Sequence, residues 1–346
     1  MSVRPSYIGP VRLARLSLIV LALLAFAAVS ASAQTAAPED PQSPPDRSEE
    51  APKAPKYPRC FGAASRDPVT PCHNRKLAKM VLPKPLDALL EPNSECALGN
   101  QDGELNPCSF GLPEAEATET IALIGDSHAA HWRAAIDTVV AGNRWHGVSI
   151  TKAGCPLSTA VTDLPEPGKT KCIRWKRQLF RWFDDHPEIH TVITSNHSGG
   201  AVVGAKDDYA AHVKGYTKAL AKLPPTVERI FSIRDVPRNS RNSMACVDRA
   251  IRKKLAAGPK CAVPREFALK PDPAIVAAQR SDPHRVQLID MTRFMCSSRL
   301  CLPVIGGALV HKDETHLTRV FATTLGPYLL RHIDRAMSNL AAGTRP

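Results

Sequence analysis

Five short apolar runs, each separated from the next by residues of helical spacing, constrain this 346-residue chain more than any other feature. Thr120–Ile124, Val148–Ile150, Thr191–Thr194, Arg229–Ile233 and Val286–Asp290 have the length and β-branched content of buried strands. Between and after them, residues 127–141, 173–183 and 209–223 and a stretch starting near Leu317 repeat apolar residues at helical spacing. Ala129, Trp132, Ile136 and Val139 form the inward face of the first helix. Leu317, Val320, Phe321 and Leu325 form that of the last, which Gly326-Pro327 is expected to kink. Strands that alternate with helices make βαβ units, hence a mostly parallel five-stranded sheet between two helical layers, a three-layer α/β/α fold. In such sheets ligands and reactive groups lie beyond the carboxyl ends of the strands. That rule gathers Gly125, Asp126, Ser127, Ser195, Asn196 and Asp235 on one edge.

Ahead of this region the texture differs. Residues 1–33 read as a secretory signal peptide: Arg4, Arg12 and Arg15, an apolar run from Leu16 to Val29, and the cleavage site Ala31-Ser32-Ala33. The competing reading is an uncleaved anchor. Residues 34–57 are rich in Pro, Ala, Ser and charge without an apolar face, the composition of an extended linker. Residues 58–117 hold four cysteines and few periodic segments, a disulfide-stapled extension. The chemistry-bearing domain is expected over 118–340. The ten cysteines lack CxxC pairs and zinc-finger spacing, and read as five sequential neighbours, each closing a short loop; connectivity stays open at this level. Such a framework belongs in an oxidising compartment, periplasmic or secreted.

Charge narrows the partners. The formal charge is +12, and loss of Arg4, Arg12 and Arg15 leaves +9. The basic residues are dispersed and aromatics are only 5%, which argues against a nucleic-acid partner. An anionic envelope polymer or headgroup surface fits the balance, as does ordinary surface charge.

Chemistry concentrates in two segments. Gly125-Asp126-Ser127-His128 directly follows the first strand. A nucleophilic serine needs a tight, exposed strand-to-helix turn with backbone N–H groups nearby, and this tetrapeptide supplies one. On its own the motif is more simply a helix cap formed by Asp126 and Ser127. Asp313-Glu314-Thr315-His316-Leu317 stands before the last helix. A serine hydroxyl needs a base, and the base needs an acceptor on its other nitrogen. His316 and Asp313 can supply both from one segment. His128 and His131, one turn apart, are a thin candidate for a metal pair, and His128 fits better as a group lining the site. His186, His190 and His197 read as surface or structural, the tryptophans as core, and Asp290 as a loop cap. No metal or cofactor is called for.

The joint occurrence of Gly125-Asp126-Ser127-His128 and Asp313-Glu314-Thr315-His316-Leu317 resembles the SGNH hydrolase superfamily. It is most similar to the SGNH domain often fused to membrane acyltransferase-3 domains in bacterial O-acetyltransferases. Ala153-Gly154-Cys155-Pro156, Cys172 with Trp175, Asp235-Val236-Pro237, and Cys296 and Cys301 leading to Val304-Ile305-Gly306-Gly307 extend the likeness. The resemblance implies a flavodoxin-like fold and acyl transfer, acetyl first, to or from a cell-envelope glycan, with Ser127, His316 and Asp313 as catalytic residues. It implies an oxyanion hole from the Ser127 N–H, Gly154 and Asn196, although the G-x-N-D form is missing around Asn196. No array of membrane spans precedes the domain. Either a separate membrane acyltransferase supplies the acyl group, or the protein acts alone as an esterase. A catalytically silent glycan-binding module is the reading from another class.

Overall fold

The computed structural model describes residues 57–70, 72–94, 96 and 103–345. The expected signal peptide and nearly all of the expected linker lie outside the described residues.

The sheet has six strands, one more than expected. They are β1 (Cys108–Gly111), β2 (Glu119–Gly125), β3 (Trp145–Thr151), β4 (Ile189–Ser195), β5 (Arg229–Ile233) and β6 (Val286–Ile289), in spatial order β1-β3-β2-β4-β5-β6. β2 to β6 are the five strands legible in the sequence, all parallel. The additional strand is β1, which pairs antiparallel with β3 as an edge. It is four residues long with one buried side chain, Phe110, so no apolar run announces it. Its place depends on Gly147 of β3, where a Cβ would stand 2.2 Å from the Phe110 ring.

Alternation along β2 sorts the core. Ile121 and Leu123 face one side, with Ile193, Phe231 and Ile289. That side is covered by α1 (Ser127–Ala130), α2 (Arg133–Asn143) and α6 (Arg319–Ala342). Ala122 and Ile124 face the other, with Ile150, Val192 and Ile230, beneath α3 (Gly168–Asp185), α4 (Asp208–Lys222) and α5 (Pro273–Arg280). Burial of these apolar side chains is the main favourable term in the fold, on the order of 2 kcal/mol for each large one.

One helix differs from expectation. The expected helix over 127–141 is two segments that meet at His131 and Trp132. The last helix is not interrupted at Pro327. A Cβ on the neighbouring Gly326 would stand 2.2 Å from Thr138 Oγ1 and 3.2 Å from the Ala135 carbonyl, so α6 rests directly on α2 there. Packing at that contact offsets the hydrogen bond that proline removes.

Five disulfides join sequential neighbours: Cys60–Cys72, Cys96–Cys108, Cys155–Cys172, Cys246–Cys261 and Cys296–Cys301. The first braces a segment that leans on α6: Ala63 N–H donates to Thr324 Oγ1 at 3.0 Å, and Asp67 pairs with Arg331 at 2.7 Å. The fourth ties helix Ser243–Arg252 into an excursion after β5 for which the sequence reading names no element. Among the described residues, no helix is long and apolar enough to cross a membrane.

Candidate active site

β2 ends at Gly125 with φ +151°, and any Cβ there would lie 2.3 Å from the Ser195 carbonyl and 2.8 Å from the Ala129 Cβ. Glycine thus lets the turn sit directly against the end of β4. Asp126 follows and is buried. One carboxylate oxygen caps α1 by accepting from His128 N–H at 2.8 Å, and the other accepts from His197 N–H at 2.9 Å. The capping role expected for Asp126 is therefore present. In addition, the residue ties the turn after β2 to the loop after β4.

Ser127, the first residue of α1, faces His316 across the carboxyl edge. Its hydroxyl donates to His316 Nε2 at 2.8 Å, and His316 Nδ1–H donates to Asp313 Oδ2 at 2.8 Å. The carboxylate fixes the tautomer, because a proton on Nδ1 leaves Nε2 as an acceptor. Asp313 Oδ1 accepts from the backbone N–H groups of Thr315 and His316, both at 2.8 Å, so the segment is a closed turn around its own carboxylate. Burial acts to raise the Asp313 pKa, but the His316 ring and these N–H groups outweigh it and hold the carboxyl well below the usual range.

Gly154 and Asn196 stand on adjacent loops at the same edge. Gly154 has φ +68° in the turn after β3, next to the Cys155–Cys172 disulfide. Lys152 N–H donates to the Gly125 carbonyl at 3.0 Å and docks that turn on the end of β2. The buried Asn196 accepts from Leu157 N–H at 2.8 Å and donates to Thr194 Oγ1 at 3.3 Å, which orients its amide.

Two histidines take positions that sequence reasoning did not give them. His128 Nδ1 lies 2.5 Å from Asp235 Oδ1, with the two side chains only 3% and 5% exposed. His197, expected at the surface or in a structural role, places its ring 4.7 Å from that of His128. His128 is committed to Asp235, while His131 accepts from Leu317 N–H at 3.4 Å and burial pushes its pKa well down; among the described residues no third ligating side chain joins the His128–His131 pair into a group of three. Asp235 also accepts from Ser198 N–H and Val236 N–H, each at 2.8 Å. Asp272 accepts in turn from Asp235 N–H at 2.8 Å, and burial, with Asp235 nearby, raises its pKa to about 6. A cavity of about 250 Å³ is lined in part by His197, Asp235, Arg238, Asp272 and Thr315; its lining includes neither Ser127 nor His316. Trp182, expected in the core with the other tryptophans, is only half-buried. His186 and His190 bond backbone carbonyls, Trp132 and Trp175 are buried, and Asp290 caps Thr292 while pairing with Arg234. The signal for Asp235 was its place after β5; nothing in the sequence marked Asp272 or His197.

Comparison with known proteins bears on the fold and the family. The periplasmic domain of the lipopolysaccharide acetyltransferase of Salmonella ser. Paratyphi A is similar in structure, with a TM-score of 0.50 and 16% identity over 63% of this chain and 85% of that one. At that identity the likeness shows the fold. No curated protein matches the sequence. A family model described as SGNH domain (fused to AT3 domains) matches residues 95–331, well over half of the sequence. On that match the chain belongs to this SGNH domain family.

Proposed function

We propose that the protein is a serine-dependent O-acyltransferase that moves an acyl group, acetyl in the first instance, onto a hydroxyl of a cell-envelope polysaccharide or peptidoglycan sugar. The observation that carries this reading is the hydrogen-bonded series Ser127–His316–Asp313 at the carboxyl edge of the sheet. The Ser127 oxygen attacks the acyl carbonyl carbon while His316 Nε2 takes the hydroxyl proton. The carbonyl electron pair moves onto oxygen, where the Ser127 N–H, the Gly154 N–H and the Asn196 amide are the proposed donors. Collapse expels the donor's alcohol or thiol, which leaves with the proton from His316, and the acyl group stays on Ser127. A sugar hydroxyl then gives its proton to His316 and repeats the attack, which frees Ser127. Asp313 holds the tautomer and offsets the imidazolium formed in each half-reaction.

Support for the envelope setting comes from the disulfides, which need oxidising surroundings, and from the periplasmic acetyltransferase domain that shares the fold. The donor arrangement is part of the proposal: a separate membrane acyltransferase hands over the acyl group.

The test is incubation with a small activated acyl ester, with and without an oligosaccharide acceptor, beside Ser127→Ala. Acylated sugar that requires Ser127 supports the transferase. Acyl release to water alone, undiminished by sugar, makes the protein a carbohydrate esterase. A wild-type protein no more active than Ser127→Ala leaves a glycan-binding module.

A further inference from the structure

Three carboxylates stand around the Ser127–His316 pair: Asp126 next to the serine, Asp313 behind the histidine, and Asp235 at the end of β5. A serine oxygen that gains negative charge among three carboxylates is disfavoured unless positive charge offsets them, and in a buried site little solvent screening helps. We propose that His128, locked onto Asp235, is a fixed cation of this site: a positioning residue that offsets the surrounding carboxylates and so favours negative charge on the Ser127 oxygen as it attacks. This inference rests on the proposed role of Ser127.

The geometry supports it in three ways. His128 directly follows the nucleophile in the chain, and its ring centroid lies 4.9 Å from that of His316, so the charge sits within one ring of the proton transfer. Its partner carboxylate is buried, and a buried carboxylate requires a paired charge. Asp235 also accepts two backbone N–H groups, so it stays ionised and cannot rotate away from the imidazole. Burial acts to lower the His128 pKa, but Asp235, with Asp126 and Asp313 farther off, more than reverses this and raises it to about 9. The other titratable groups facing His128 are the rings of His131, His197 and His316. Burial lowers His131 and His197, so neither takes over the positive charge. Burial lowers Lys176 of α3 to about 8, against the pull of Asp126. His128 is thus cationic at neutral pH and loses its charge as pH rises through about 9.

The experiment measures the rate at which a fluorophosphonate labels Ser127 in the full chain between pH 6 and pH 10.5. In the wild type the rate is expected to fall about tenfold above pH 9. His128→Gln combined with Asp235→Asn replaces the ion pair with a neutral hydrogen-bonded one. It is expected to label about 10- to 100-fold more slowly at pH 7.5, within the range of a lost electrostatic donor, and without the alkaline fall. A double variant that labels at the wild-type rate, or keeps the same fall, overturns the inference. A ring-nitrogen NMR titration of His128 in Ser127→Ala serves if the double variant does not fold. Protonation retained to about pH 9 is expected there, and a neutral ring at pH 7 overturns the inference. Should Ser127 not label at all, the proposed function fails, while the titration still decides whether His128 is a fixed cation.

Discussion

Asp313–His316 and Asp235–His128 join the same two chemical groups in different surroundings. The first pair is 2.8 Å apart with its side chains 38% and 25% exposed; the second is 2.5 Å apart and almost wholly enclosed. The first comes from one turn in which the carboxylate and the ring are three residues apart. The second joins the turn after β2 to the end of β5, more than a hundred residues on. A base must take and return a proton in every cycle, which needs room and access. A fixed charge needs enclosure, because water would screen it and compete for the proton. Exposure thus separates the pair suited to cycling from the pair suited to staying charged.

That comparison breaks most sharply at the exposed pair. His316→Ala removes the proposed base without leaving a buried charge behind. Turnover of an activated ester is expected to fall about 10⁴-fold while the thermal midpoint stays within a few degrees. Ester hydrolysis and a melting curve on one sample check both parts. A large loss of stability with modest loss of activity would reverse the two assignments.

At the enclosed pair the expected effect is on stability first. Asp235→Asn alone leaves His128 buried without its counter-charge and deprives the backbone N–H groups of Ser198 and Val236 of an ionised acceptor. A loss of about 3–5 kcal/mol is expected, read by denaturant unfolding. An Asp313→Asn variant, with water able to replace the lost interaction, is expected to lose no more than about 1 kcal/mol.

The contrast in how the pairs are built also explains what was legible in the sequence. Five parallel strands, the serine after β2 and the Asp–His turn could be read because each is local: an apolar run, a glycine turn, a three-residue spacing. β1 escaped because its four residues bury a single side chain, and the pairing that makes it a strand comes from β3. The His128–Asp235 pair escaped because it joins the ends of two strands whose neighbourhood is set only when the sheet forms. His197 likewise reads as a polar residue past a strand until the Asp126 carboxylate takes its N–H. Groups whose role comes from a distant partner carry no local pattern.

Alkaline pH sharpens the comparison by a smaller amount. The folded-state pKa of His128 is raised from 6.5 to about 9, so the pair's stabilisation is fully present below about pH 6.5 and is lost as pH rises through about 9. The shift corresponds to about 3 kcal/mol at most. The Asp235 pKa is shifted downward, so on the acid side the same interaction is kept above about pH 4 and lost as pH falls. Unfolding free energy is therefore expected to decline between pH 7 and pH 10 in the wild type. The variant carrying both His128→Gln and Asp235→Asn should lack that part of the decline, and parallel slopes would show that His128 does not titrate there.

A smaller effect than at the enclosed pair belongs to a carboxylate–cation pair outside the site, which isolates what the histidine adds. Asp67, in the disulfide-braced segment before β1, accepts from Arg331 of α6 at 2.7 Å, and also from Val69 N–H and Thr70 Oγ1. The Arg331 hydrogen bond is the main cause that holds the Asp67 carboxyl well below the usual range. The Asp67 side chain is 2% exposed, but that of Arg331 is 35% exposed, so water screens one end of the pair. Asp67→Asn is accordingly expected to cost about 1–2 kcal/mol, less than Asp235→Asn, because Arg331 can turn to solvent while His128 cannot. The sign with pH follows from the depressed carboxyl: its contribution is present above about pH 4 and lost as pH falls further. An arginine keeps its charge through pH 10, so this pair should contribute nothing to the alkaline decline. Denaturant unfolding of Asp67→Asn at pH 3, 7 and 10 checks all three points. An alkaline slope altered by this substitution would show that the decline reports general loosening of the fold and not the titration of His128.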